Sequence, residues 1–353
     1  MFVPGPRAFA VTRRLALGVV AIGLLAWNET PGAARQRPDF PAFVWPSRVL
    51  TDSEWRQVDR GDAVVRVLPS RNPDLRVLTV STLHASAAAV ADKVGRIAEL
   101  KKSAFVLGIQ RFSDPPVLGD LAALTLDDDD LADVRTCRPG DCGLKLATSE
   151  MAALRRVAAA AGAGWKAVVQ QEFRRLLLER VIAYRTGGLA MVPDDADQEP
   201  PTARSREFAA ILAAFPELAQ GLPRLAAYLR DYPRIPMTGV ESFLYWSTER
   251  FGAKPVVLIT HVNILRGSGP DVPALVIAGT QVFASHYLRG GLSLTSVVAG
   301  SAGAANHLIY LNRLRVDTLG GITGGLKRAI VERRIRLSTR ELVTGFRRRL
   351  EAR

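Results

Sequence analysis

The chain has 353 residues, a formal net charge of +13 and 48% hydrophobic residues. That apolar content excludes a disordered polar chain, and the length allows one large domain or two ordinary ones. Its 2 cysteines exclude a disulfide-dense scaffold and a cysteine-rich zinc module.

Residues 1–34 read as a signal peptide. Arg7, Arg13 and Arg14 precede an apolar run from Leu15 to Trp27, and Pro31-Gly32-Ala33-Ala34 supplies small residues for cleavage after Ala34. The run is shorter than the ~20 apolar residues of a bilayer span. An uncleaved N-terminal anchor is the alternative. Thr12-Arg13-Arg14-Leu15 partly fits a twin-arginine signal, but Ala16 stands where phenylalanine is preferred, which favours the general secretory route. A periplasmic or secreted protein is therefore expected. In that compartment Cys137 and Cys142 are expected to pair, with Pro139-Gly140 as the turn. The spacing is not C-x-x-C and no histidine or second cysteine pair lies nearby, so a structural clip is favoured over redox or metal chemistry.

Residues 35–56, rich in proline and aromatics, read as an extended lead-in that packs on the body. Strands are expected over Ala63–Leu68, Leu75–Leu83 and Phe105–Phe112, with a helix from Ser86 to Lys101. Asp127-Asp128-Asp129-Asp130 suits a helix N-terminus, where carboxylates meet free N–H groups; a calcium loop would need a different spacing and a distal glutamate. Helices follow over Ser149–Ala161 and Trp165–Arg185, the second stopped by Gly187-Gly188. Shorter ones follow over Ser205–Phe215 and Leu222–Asp231, so 114–234 reads as a mostly helical insertion. From Val240 the pattern turns to six closely spaced β runs: Glu241–Phe251, Pro255–Leu265, Ala274–Gln281, Phe283–Arg289, Leu292–Ala299 and His307–Val316. Close spacing without helices predicts an antiparallel meander. A capping box at Ser338-Thr339-Arg340-Glu341 opens a final helix with Leu342, Phe346 and Leu350 on one stripe.

Charge is unevenly distributed. Residues 114–141 carry a net −6 and residues 313–353 a net +8. The basic end is a solvated helix face or a contact for anionic headgroups at a membrane surface. Export and the absence of a nucleic-acid module argue against nucleic acid.

Two strands, a helix, a meander and a terminal amphipathic helix resemble the helix-grip fold of the START-like (SRPBCC) superfamily over 61–112 and 240–352. The resemblance implies a single α+β domain over 35–353, with an antiparallel sheet curved around the C-terminal helix. It also implies a lipid or other hydrophobic small molecule held between them. Val256, Leu258, Val276, Val282, Leu294, Val297, Ile309 and Leu311 are then candidate inward-facing positions, or ordinary core. The string from Leu124-Thr125-Leu126-Asp127 through Cys137-Arg138-Pro139-Gly140-Asp141-Cys142, with Ala284-Ser285-His286-Tyr287 and Tyr310-Leu311-Asn312-Arg313, resembles a group of exported bacterial proteins and imports no activity.

No motif demands a cofactor or a metal. Ala299-Gly300-Ser301-Ala302-Gly303 lacks the helix that follows a nucleophile elbow. Gly162-Ala163-Gly164-Trp165-Lys166-Ala167 follows a helix, not the strand of a dinucleotide site. The Gly-rich run from Gly320 to Lys327 breaks phosphate-loop spacing at Leu326 and reads as a bend. The polar set on the predicted sheet is more informative. Trp246, His261, His286, Asn312 and Arg313 are candidate ligand-binding residues. His261, His286 and Asp317 are candidate catalytic groups for an alternative enzymatic role, hydrolase or cyclase-like. Arg313 and Asp317 could instead pair structurally. A third reading is an envelope protein that docks a partner through the helical insertion.

Overall fold

The computed structural model describes residues 49–250, 254–267, 272–300, 305–317, 332, 339 and 343–352. The expected signal peptide, its cleavage site, most of the 35–56 lead-in, the Gly-rich 320–327 run and the capping box at 338–341 lie wholly or largely outside them. Ala299-Gly300 of the elbow-like string is described; the rest of it is not.

The fold is α+β, built on an eight-stranded antiparallel sheet. Helix α1 (Asp52–Asp59) opens the described chain, so this end of the lead-in is helical and not extended. Its first turn closes a capping box between Thr51 and Glu54, and Trp55 and Val58 are buried. Strands β1 (Val64–Leu68) and β2 (Asp74–Leu83) form a hairpin. Ser86 caps α2 (Ala87–Gly95), and a break at Arg96 separates it from the short α3 (Ile97–Leu100). Strand β3 (Val106–Arg111) follows.

The helical segment then intervenes. Asp127 accepts a hydrogen bond from the Asp130 amide and caps α4 (Asp128–Val134), as the aspartate run predicts. Next come α5 (Thr148–Ala160) and the long α6 (Trp165–Gly187), closed by Gly188 in the left-handed region at φ 70°. Helices α7 (Arg204–Ala213), α8 (Pro216–Gly221) and α9 (Pro223–Asp231) complete the segment.

The meander has five strands where the sequence pattern predicts six: β4 (Val240–Arg250), β5 (Pro255–Arg266), β6 (Leu275–Ala284), β7 (Leu288–Val298) and β8 (Asn306–Val316). The run Phe283–Arg289 is not a strand. Phe283 and Ala284 continue β6 past a register shift, Ser285–Tyr287 turn with Tyr287 at φ 60°, and Leu288 opens β7. Strand order is β1-β2-β8-β7-β6-β5-β4-β3. Residues 343–351 form the final helix, α10.

The sheet faces two different layers. One face carries Leu244, Trp246, Ile259, Leu294 and Leu311, covered by α1 and the helical segment. The opposite face carries Phe243, Val262, Ile264 and Ile277, packed at one end against Val90, Val94 and Ile97 of α2–α3 and against Phe346 and Leu350 of α10. The candidate inward-facing set divides between them. Val276, Val282, Leu294, Ile309 and Leu311 face the helical layer, whereas Val256, Leu258 and Val297 face the other side.

Candidate functional site

The residues singled out from sequence do not converge on one site; His286 and Asp317 share one region, and Trp246 and His261 another. Trp246 is buried under the helical layer and donates its indole N–H to the Asp120 carbonyl at 2.7 Å. His261 lies on the same face. Its Nδ1 is 2.9 Å from the Tyr184 hydroxyl, and burial pushes its pKa down to about 3, aided by the Arg185 charge. Arg313 pairs with Asp74 at 2.8 Å and donates to the Ala214 carbonyl, so it does not pair with Asp317. Asp317 instead joins Lys145 at 2.7 Å and Arg289 at 2.8 Å.

His286 sits in the β6–β7 turn, not on a strand. Its Nδ1 is 2.8 Å from the Gly143 carbonyl and its Nε2 is 3.0 Å from Asp130, so each ring nitrogen meets an acceptor. Burial raises Asp130, but the bonds from His286 and Lys254 outweigh it and hold the carboxyl below its usual range. The disulfide Cys137–Cys142 forms, and its loop docks on residues 195–202 through Gly140 N–H to Ala196 and Cys142 N–H to Asp197. His286 and Asp317 thus form part of the joint between the helical segment and the sheet.

A second joint is ionic. Arg180 grips Glu150 through two bonds of 2.7 and 2.6 Å and reaches Asp195, which also meets Arg204 at 2.6 Å. Both guanidiniums lie 5.2 Å from the centroid of the Phe283 ring. All four charged groups are buried.

The opposite face of the sheet carries the stronger candidate. Strand alternation puts Thr79 and Ser81 of β2, Tyr310 and Asn312 of β8, Ser293 and Thr295 of β7, and Tyr245, Ser247 and Glu249 of β4 on this side. Asn312 is the one sequence-predicted residue among them. Thr79 Oγ1, Ser81 Oγ and Gln281 Nε2 are buried with no hydrogen-bond partner among the described residues. Gly279 sits at the centre, opposite Val262 and Ser293. A Cβ there would lie 2.6 Å from the Ser293 hydroxyl, so the missing side chain keeps the floor low.

Beside this band Lys101, just past α3, donates to Glu249 at 2.5 Å and to the Tyr245 hydroxyl at 3.2 Å. Ser247 donates to the same Glu249 oxygen at 2.6 Å. Burial works against both charges. The attraction of Glu249 and Tyr245 nonetheless carries Lys101 above the ordinary lysine value, and Lys101 and Ser247 hold Glu249 below the carboxylate range. Yet the two side chains keep 24% and 23% of their surface accessible. Tyr310, raised first by burial, also feels Lys101, Tyr245 and Glu249, although β8 and β4 are separated by three strands in the sheet.

Among the described residues, no group of three or more His, Cys, Asp or Glu side chains could hold a metal, and no helix is long and apolar enough to cross a membrane. Comparison with known family models finds no match, and comparison with curated proteins finds none.

Proposed function

We propose that the protein is an exported, periplasmic or secreted, binding protein for a lipid or another largely hydrophobic small molecule, held on the sheet face opposite the helical layer. The observation that carries this reading is the part-accessible Lys101–Glu249 pair on the sheet face where the Thr79 and Ser81 hydroxyls and the Gln281 amide lack partners among the described residues. Binding sites of this kind are mostly apolar with a few convergent polar groups. The ligand's polar end meets Lys101, Glu249 and Tyr310. Its apolar body lies along Val65, Val67, Leu258 and Leu314, which remain partly exposed.

Three features support a helix-grip arrangement. The strand order closes β2 against β8, α2–α3 lie between β2 and β3 in the chain, and α10 packs on the same face as those helices. The electrostatic reach of Tyr310 to Glu249 favours a sheet curved toward that face. The net +8 of residues 313–353 supports approach to an anionic membrane surface, though Arg347 and Arg349 already donate to the Gly61 and Leu100 carbonyls. The enzymatic alternative has less behind it, because His261 is sealed and resists protonation and His286 has both nitrogens committed.

Native mass spectrometry of the purified full chain, followed by solvent extraction, tests the proposal. A bound mass is expected, and Ser293→Leu, which fills the floor, should expel it from a protein that still melts cooperatively. An empty protein that also fails to bind fluorescent fatty-acid probes would refute it.

A further inference from the structure

The helical side holds a separate opening. A cleft of about 90 Å3 lies between the end of α6, the side of α7 and the end of α9, with Thr280 of β6 at its floor. Thr280 is 2% exposed and its hydroxyl has no partner among the described residues. A buried hydroxyl without a partner costs free energy that a ligand or an ordered water can recover. Tyr184 and Tyr232 form one wall, stacked with centroids 5.1 Å apart, and Phe208 and Leu212 of α7 form another. Arg230 and Arg234 stand at the mouth. Both reach Asp231, at 2.8 and 3.5 Å, which leaves two guanidiniums against one carboxylate.

We propose that this cleft is a second binding site, specific for a small aromatic monoanion of the aryl carboxylate type. The ring enters between the tyrosine wall and α7, where its π face is a weak acceptor for the Thr280 hydroxyl, and the carboxylate stays at the mouth beside Arg230 and Arg234. Size limits the ligand to at most one ring, only partly inserted. An enclosed apolar cavity of roughly 150 Å3 accepts benzene. This cleft is smaller but open at the rim, so a ring fits only with its acidic group outside. The positive mouth disfavours a cationic ligand, and the aromatic wall disfavours a small inorganic anion. The site shares no residue with the Lys101–Glu249 face and does not depend on it.

Isothermal titration calorimetry of the full chain with sodium benzoate, benzyl alcohol and sodium acetate tests the assignment. Benzoate should bind, and the neutral and non-aromatic probes should bind at least about tenfold more weakly, the worth of one charge-assisted contact. Ala209 lines the cleft from an exposed position, so Ala209→Phe plugs it without disturbing the core and should abolish benzoate binding. Arg230→Gln with Arg234→Gln should reduce benzoate to the level of benzyl alcohol and leave benzyl alcohol unchanged. Lys101→Met should leave benzoate binding intact, which separates this site from the one on the opposite face. Absence of saturable benzoate binding, or binding that survives Ala209→Phe, would overturn the proposal.

Discussion

His261 is a base that the fold keeps unprotonated. Its folded pKa, about 3, lies below the ordinary 6.5, so below pH 6.5 the unfolded chain takes up a proton that the native state refuses. Stability is full above pH 6.5 and declines as the pH falls toward 3, by at most roughly 1.4 kcal/mol per pH unit from this group. His261→Gln should flatten that decline, which urea unfolding at a series of pH values from 7 to 4 would measure; an unchanged slope would count against the assignment. Lys101 and Glu249 behave differently, because each stabilises the charged form of the other. Removing one strands its partner. Lys101→Met should cost about 3 kcal/mol in urea unfolding at pH 7, and the double change Lys101→Met with Glu249→Gln should recover most of it. This pair was invisible in the sequence for a plain reason. Its members lie 148 residues apart and belong to no shared motif, whereas His261, His286 and Trp246 stand out by rarity. Rarity marked buried joints, and the candidate site is marked instead by alternation, as in Ser293 and Thr295 or Tyr245, Ser247 and Glu249. Alternating polar positions read equally as a solvent face until the covering layer is known.

At the scale of elements the chain was more legible. Local signals place α2 behind Ser86, α4 behind Asp127 and the end of α6 at Gly187-Gly188, because capping and the left-handed turn are decided by neighbouring residues. The extra meander strand was an error of tertiary origin: the shift in β5–β6 pairing that carries Phe283 into β6 depends on its partner strand. The cysteine loop also belongs here. Closing six residues with a disulfide removes denatured-state entropy on the order of 2 kcal/mol. The loop docks on 195–202, away from the Lys101–Glu249 face. Cys137→Ser with Cys142→Ser should therefore lower the urea midpoint while ligand affinity is unchanged; a folded double variant that no longer binds would break this separation of roles.

Across the whole molecule, the helical segment is a layer and not an appendage. It covers Leu244, Trp246, Ile259, Leu294 and Leu311, side chains that would otherwise form a large exposed apolar face. Strands β3 and β4 pair directly, so a short loop could replace 114–234 on geometric grounds. Such a deletion should nonetheless yield an aggregating, dye-binding chain, detectable by light scattering and anilinonaphthalene fluorescence, and a soluble monomer would contradict the layer assignment. The strand order carries a further consequence, for synthesis. Asp74 pairs with Arg315 and Leu83 with Asn306, so β2 waits for almost the whole chain before it gains its second neighbour. While it waits, β2 and then β7 offer unpaired edges to any passing strand. Strand β8 is the keystone that closes both at once. A stalled or clipped chain lacking 306–316 is therefore expected to polymerise edge to edge, which gives the cell reason to hold the emerging chain unfolded until its last strand is delivered.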